Sequence, residues 1–181
     1  TILHFDGSAW KTIDSPSPNN LTSVAFSDDG SGWIVGDKGA ILSFTNNGWG
    51  MVQSPTEERL EFVSVLSKID AWAVGYHGTI LHWDGTTWQN VQAPTSERLR
   101  HIFMLTKNLG WAVGERGAVI SWDGERWTSE NIPDELADIS PTLHSVFMVS
   151  DDEGWVTGKN VLLRRDKGRW VATEGSYRRL H

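Results

Sequence analysis

The feature of this chain that most constrains its fold is a five-residue phrase that occurs four times. It reads GWIVG at 32–36, AWAVG at 71–75, GWAVG at 110–114 and GWVTG at 154–158. The tryptophans of successive copies lie 39, 39 and 44 residues apart. Self-similarity at a period of this length is typical of solenoids and propellers, so the chain is a repeat array.

A second column of tryptophans keeps step with the first. It comprises Trp10, Trp49, Trp88, Trp127 and Trp170. Most of them close a D-G-x-x-W phrase such as the one at 84–88. Because a buried indole removes a large apolar area from water, we expect both columns to pack between neighbouring units. Trp83 and Trp122 are replaced by other residues elsewhere in the array, and we expect them to be partly exposed.

Each unit contains four short apolar segments with the alternation of β-strands. In one unit they cover 60–66, 71–75, 78–83 and 87–92. The Val-Gly-x-x-Gly link between the second and third segments predicts a tight hairpin. Asp-Gly predicts the next turn, because this pair tolerates positive φ. The sequence therefore predicts one four-stranded antiparallel sheet per repeat and no long helix.

Such a sheet is apolar on both faces and needs neighbours to cover it. Radial packing about an axis gives that cover, so we predict an all-β propeller in a single domain over 1–181. Full blades are expected at about 21–53, 60–92, 99–132 and 143–173, with blade remnants at 1–13 and 177–181. Together the remnants would lack a second strand, so we expect the rest of a longer chain, or further copies of this one, to complete the ring.

Charge and composition argue against several classes of function. The net charge is −7 and no basic stripe accompanies the aromatic residues, which disfavours nucleic-acid binding. There is no cysteine, and the six histidines form no pair with metal-ligand spacing, so we predict neither a metal site nor a cofactor. No apolar run is long enough to predict a membrane span.

The units resemble the bacterial propeller repeats of the BNR/Asp-box-like and photosystem II stability/assembly-factor-like superfamily. The resemblance is carried by GWAVG at 110–114 and WDGERW at 122–127. An Asp box proper reads S-x-D-x-G-x-x-W, whereas Asp123 and Gly124 are adjacent here. The resemblance implies a secreted or cell-surface bacterial protein, with the periplasm as an alternative. It also implies either a scaffold that holds a protein or glycan ligand or a sialidase-like glycoside hydrolase.

The hydrolase alternative requires a specific set of side chains. A sialidase-like site uses three arginines on a carboxylate, a tyrosine nucleophile with a glutamate partner, and an acidic aspartate. The two tyrosines are Tyr76, at a predicted hairpin tip, and Tyr177, near the end of the chain. We therefore predict no catalytic residues and a non-enzymatic binding platform. A third hypothesis is a structural subunit that self-assembles through open blade edges.

Positions that differ from one repeat to the next are the candidate binding residues, because recognition surfaces concentrate on variable loops. The hairpin tips and the links between blades vary in this way, and the alternative is that they are ordinary solvated turns. The candidate ligand-binding residues are Asp37, Lys38, Tyr76, His77, Glu115, Arg116, Arg59 and Arg98. His101 and His144 are expected to approach the central axis.

Two further segments are candidates for partner contacts. The link at 132–141 is longer than its equivalents and acidic, so it is either a docking arm or a single turn of helix. The segment 164–181 is basic, and is either a partner surface or a polar end of the array. The candidate partner-contact residues are Asp134, Glu135, Asp138, Arg164, Arg165 and Arg169.

Overall fold

The computed structural model of the chain describes residues 1–173. This part contains one two-stranded hairpin and four antiparallel sheets, each with four strands in chain order. The predicted all-β fold, with four complete blades and a partial one, is confirmed. The predicted blade remnant at 177–181, with Tyr177, lies outside the described residues.

The strands of each blade follow one another directly along the sequence. The partial blade consists of β1 (Ile2–Phe5) and β2 (Trp10–Ile13). The first complete blade contains β3 (Leu21–Phe26), β4 (Gly32–Gly36), β5 (Ile41–Thr45) and β6 (Gly48–Met51). The second contains β7 (Leu60–Ser67), β8 (Asp70–Gly75), β9 (Ile80–Trp83) and β10 (Trp88–Asn90). The third contains β11 (Leu99–Thr106), β12 (Leu109–Gly114), β13 (Val119–Trp122) and β14 (Trp127–Ser129). A short helix, α1 (Asp134–Ala137), precedes the fourth, with β15 (Leu143–Met148), β16 (Glu153–Gly158), β17 (Val161–Asp166) and β18 (Arg169–Ala172).

The first, second and third complete blades meet in two apolar seams that contain contacting aromatic rings. In the seam between the first and second blades, the ring of Trp33 lies 4.8 Å from that of Trp83 and 5.0 Å from that of Trp88, between centroids. The seam between the second and third blades repeats this arrangement at 5.0 and 5.7 Å, with Trp72, Trp122 and Trp127. The prediction that both tryptophan columns pack between blades is confirmed in these seams, and Trp83 and Trp122 are half-buried as expected.

Three tryptophans of these columns depart from the prediction. Trp10 is 69% exposed, and Trp49 and Trp155 are only half-buried. Trp49 faces the partial blade, which has no second strand among the described residues. The position of Trp10 in a blade faces the preceding blade, and that of Trp155 faces the following one. Among the described residues no blade covers either face, so these two indoles have no seam to fill.

The glycines of the repeat phrase allow the backbone to approach its neighbours closely. A Cβ atom on Gly75 would overlap the carbonyl oxygen of Arg59, and one on Gly114 would overlap that of Arg98. The N–H of Tyr76 donates to the Arg59 carbonyl at 2.9 Å. These approaches fix each hairpin tip, between the second and third strands, against the link that enters the same blade.

The Asp-Gly turns of the partial, second and third blades lie at the opposite end from the hairpin tips. Asp84 accepts hydrogen bonds from the hydroxyl of Thr86 and from the N–H groups of Thr87 and Thr86. These bonds favour the charged carboxylate and lower the pKa of Asp84 to about 2. Gly85 follows with φ +95°, which explains why the turn requires this pair.

Candidate functional site

The candidate site is the end of the propeller that carries the hairpin tips 37–39, 76–78 and 115–117 and the links 54–60 and 93–99. We call this surface the tip face. In each tip the middle residue adopts the left-handed conformation, with φ of 52–53°, at Lys38, His77 and Arg116. This conformation is unfavourable outside glycine, and backbone hydrogen bonds to the links hold it. The tips are therefore fixed in place.

A chain of ion pairs crosses the tip face from the first blade to the second. Arg59 contacts Asp37 at 2.9 Å and Glu61 at 2.7 Å. Glu61 also accepts a hydrogen bond from Arg98 at 2.8 Å. The arginine of each link is thus bound between carboxylates of its own and the neighbouring blade.

The same chain continues into the third blade. Arg98 lies 3.4 Å from Glu115, and Arg100 donates to Glu115 at 2.7 Å. The guanidinium of Arg98 also covers the ring of Tyr76, 4.4 Å from its centroid, and that of Arg59 lies 6.0 Å away. Cation–π contact and ion pairing together restrict the rotamers of these side chains.

The outer part of the tip face is open to solvent. His77 contacts Glu58 at 2.9 Å, with its side chain 73% exposed. Arg116 lies 3.7 Å from Glu97 and is 76% exposed. Lys38 is also exposed. The surface thus combines a rigid inner network with an accessible rim.

The tip face contains all eight residues that the sequence predicts as ligand-binding. Sequence reasoning missed Glu61 and Arg100, which complete the ion-pair chain. The signal was present, because the core residue Leu60 is flanked by Arg59 and Glu61. Alternation along a strand places both neighbours of a core residue on the other face.

The geometry of the tip face differs from that of a sialidase site. Arg59 and Arg98 are already bound by carboxylates of the protein, so neither is free to grip a substrate carboxylate. One face of the Tyr76 ring is covered, and within residues 1–173 no carboxylate hydrogen-bonds its hydroxyl. The contacts among Arg59, Arg98 and Tyr76 fix the positions of these side chains, and they differ from the set of groups that a sialidase site uses.

The long acidic link forms one turn of helix. Leu136 of α1 is fully buried in the core between the third and fourth blades, which anchors the turn. Asp134, Glu135 and Asp138 remain exposed. The link ends beside the third tip, where the N–H of Gly117 donates to the carbonyl of Pro141 at 2.7 Å. The acidic side chains therefore flank the tip face, and their contact with a partner stays a prediction.

One of the predicted partner-contact residues is buried. Arg165 is 7% exposed, donates to the Asp151 carbonyl at 2.7 Å and forms an ion pair with Glu130. It occupies the seam position that Trp83 and Trp122 hold in other blades, so it contributes to packing rather than to an outer surface. Arg164 and Arg169 are exposed.

The first strands of the blades line a central cavity of about 350 Å³. His101 lies at this cavity, with its ring 3.9 Å from that of Phe62. Burial lowers the pKa of His101 to about 4, so the ring is neutral at pH 7. Its Nδ1 accepts the N–H of Val146 at 3.5 Å. His144, also expected near the axis, is exposed.

Within the described residues, no cluster of histidine and acidic side chains could hold a metal ion. The same part of the chain contains no helix with the length and apolar character of a membrane span.

No family model matches the sequence, and no curated protein matches it. Solved structures match its fold. YCF48 from Cyanidioschyzon merolae aligns with a TM-score of 0.69 at 20% identity, over 91% of this chain and 59% of its own. A structure of YCF48 bound to D1 peptide aligns at 0.59 with 15% identity, over 96% of this chain and 88% of its own. The WD40 repeats of RRP9 align at 0.64 with 11% identity, over 84% of this chain and 52% of theirs.

These likenesses establish the fold. The chain spans 59% of the length of the YCF48 chain from Cyanidioschyzon merolae. The resemblance to assembly-factor-like propeller repeats, which the GWAVG and WDGERW phrases indicate, is confirmed at the level of architecture. The chain is therefore a β-propeller with a fold similar to that of YCF48.

Proposed function

We propose that this propeller is a non-catalytic platform that binds an extended segment of another protein across the tip face. The observation that carries the proposal is the ion-pair chain from Asp37 to Arg100, which holds Arg98 and Tyr76 in fixed positions. Tyrosine and arginine are the residue types that most often dominate protein interfaces. Because their rotamers are already restricted, binding would cost little side-chain entropy.

The alternating charges of the tip face favour a polypeptide ligand. Carboxylates and guanidinium groups are paired with each other along the chain, and the exposed rim adds acceptors at Glu58 and Glu97 and donors at Lys38 and Arg116 for a peptide backbone. One structural neighbour, YCF48, has been solved with a peptide bound. That precedent supports a peptide rather than a glycan as the ligand of this chain.

The test is selection of binding peptides followed by substitution of the tip face. Peptides of about twelve residues would be selected from a random display library on the full chain, and their affinities measured by calorimetry. We expect Arg98→Ala and Tyr76→Ala each to weaken binding at least about tenfold, as expected for interface hot spots. Arg126→Ala is the matched control, because Arg126 is 79% exposed at the opposite end of the blade. The proposal would be contradicted if Arg126→Ala weakened peptide binding as much as the tip-face variants do. It would also be contradicted if the selected peptides bound Arg98→Ala and Tyr76→Ala as tightly as the unchanged chain.

The hydrolase and glycan alternatives have their own readouts. Incubation with fluorogenic sialosides and other glycosides is expected to give no turnover above buffer. Turnover that is lost in the Tyr76→Phe variant would show that the protein is a glycoside hydrolase and would contradict the non-catalytic proposal. Binding to a glycan array that Arg98→Ala removes would instead identify a glycan as the ligand.

We further propose that the platform works outside the cell or at the bacterial cell surface. The support is the resemblance of the repeats to those of secreted and surface proteins. Fractionation of cells that express the protein, with an antibody against this chain, tests the location. Recovery with the cytoplasmic fraction would contradict it.

A further inference from the structure

The first complete blade has an open seam on the side of the partial blade. An apolar groove of about 550 Å³ lies between the β1–β2 hairpin and this blade. Residues of both elements form its walls, among them Ile2, Leu3, His4, Val24, Phe44 and Trp49. In the seams between complete blades, side chains of a second strand fill the equivalent space.

The edge of β1 that borders this groove is free. In the four complete blades the third strand is hydrogen-bonded on both sides, as β9 is to β8 and β10. β1 is the equivalent third strand of the partial blade, and among the described residues it pairs with β2 alone. A free strand edge of this kind is a template for another strand.

The second blade shows which side chains this edge accepts. His82 of β9 stacks on Trp72 of β8, with ring centroids 4.1 Å apart, and His4 occupies the same position in β1. Leu81 is fully buried opposite an alanine of β8, whereas its equivalent Leu3 is 59% exposed. A strand that pairs with β1 in this register would place its tryptophan opposite His4 and the next residue opposite Leu3.

On the other wall of the groove, residues of the first complete blade are also more exposed than their equivalents in the second blade. Val24 is 58% exposed, whereas its equivalent Val63 is fully buried in a cluster with Trp33 of the preceding blade. Trp49 is half-buried, whereas its equivalent Trp88 is covered by Trp33. Both positions border the place that Trp33 occupies beside the second blade, and among the described residues the partial blade has no indole there.

We propose that the groove binds a β-strand of the GWxVG type from a further polypeptide segment. The strand adds antiparallel to the free edge of β1 and places its tryptophan between His4 and Trp49. An intact second copy of this chain has no such strand to offer, because β4, β8, β12 and β16 are each paired on both sides. The partner is therefore a segment whose GWxVG strand is not yet paired. This site is separate from the tip face and goes beyond the platform function.

The probe is a fluorescein-labelled synthetic peptide with the sequence of residues 60–75, which form the first and second strands of the second blade. Titrated with the full chain, it is expected to show saturable anisotropy and to slow hydrogen exchange of the β1 amides. Replacing the peptide's tryptophan by serine is expected to weaken binding at least tenfold. In the protein, Leu3→Asp is expected to have an effect of the same size. The matched control is Ile69→Asp, because Ile69 is also 59% exposed but lies away from the groove.

Three results would overturn the inference. The first is no binding of the peptide, and the second is equal binding by the chain and its Leu3→Asp variant. The third is a dimer of the peptide-free chain in sedimentation that Leu3→Asp dissociates, since a second copy would then occupy the edge. Arg98→Ala leaves this binding unchanged if the site is separate, so failure here and failure of the tip-face proposal are distinguishable.

Discussion

The seam between the second and third blades and the seam between the third and fourth share one geometry but differ in chemistry. In the first of these, the indole of Trp122 lies 5.0 Å from that of Trp72. In the second, the guanidinium of Arg165 lies 5.3 Å from the ring of Trp111 at the same repeat position. At this repeat position a planar side chain therefore packs on an indole in both seams, and that side chain can be either apolar or charged.

The charged seam requires a counterion, which Glu130 supplies. Its carboxylate binds Arg165 and accepts the indole N–H groups of Trp111 at 3.2 Å and Trp170 at 2.6 Å. In the other two seams the N–H groups of Trp88 and Trp127 have no partner among the described residues. In the ionic seam the N–H groups of Trp111 and Trp170 both have an acceptor. The stability of this seam therefore depends on the single carboxylate of Glu130.

The largest effect is expected from removing the indole at the centre of the apolar seam. Trp72→Ala should lower the free energy of unfolding by about 4–5 kcal/mol, because it removes a fully buried ring and leaves a cavity. Urea denaturation followed by circular dichroism measures the change. Trp10→Ala, at an exposed position of the second column, should cost less than about 1 kcal/mol. Similar costs at both positions would contradict the assignment of Trp72 to the core.

The second prediction breaks the ionic seam. Glu130→Ala should cost about 3–4 kcal/mol, because it leaves the buried guanidinium of Arg165 without a counterion. In an Arg165→Trp background, which recreates the apolar seam, the same change should cost about 1 kcal/mol, for the lost indole hydrogen bonds. A double-mutant cycle in urea gives both values. Equal costs in the two backgrounds would show that Glu130 does not act as the counterion.

The third prediction concerns the pH dependence of stability that His101 causes. The pKa of His101 is lowered to about 4 by burial, so the unfolded chain, with its histidine near 6.5, binds more protons between these values. Stability should therefore fall as the pH falls from 7.5 to 4.5, by about 2–3 kcal/mol from this residue. His101→Phe, which copies Phe62 at the equivalent position, should flatten the profile. An unchanged slope in the variant would contradict the burial of a neutral ring.

Protonation of His101 should act on the last seam in particular. Its Nδ1 accepts a hydrogen bond from Val146 of the fourth blade, and a protonated nitrogen cannot accept. Hydrogen exchange at pH 5 should thus show earlier opening of β15 than of β7. Simultaneous opening of both strands would indicate that the acid effect is not local to this seam.

The smallest effect is expected on the tip face. Arg59→Ala should cost less than about 1 kcal/mol, because a partly exposed ion pair is screened by solvent and salt. Thermal denaturation in low and in 1 M salt measures it, and the difference between the two conditions should be small. A cost as large as that of Glu130→Ala would mean that the tip-face network stabilises the fold rather than a binding surface.

The strands, turns and blade number could be predicted from the sequence, because each depends on local patterns that the array repeats. The spacing of the GWxVG phrases sets the period, and the Asp-Gly pairs mark the turns. The candidate residues of the tip face followed from their variation between repeats. Their pairing did not, because Glu61 and Arg98 are far apart in sequence and meet only when the blades pack side by side.

By itself, then, the sequence determined that this protein is a propeller of four-stranded blades with tryptophan in its seams. Local hydrogen-bonding patterns and hydrophobic alternation are enough for that. Only the tertiary structure decided that Arg165 is buried as a substitute for an indole, and that within residues 1–173 no blade covers Trp10 or Trp155. Burial depends on which blade lies opposite a side chain, and a residue's place within its own repeat carries no information about that neighbour.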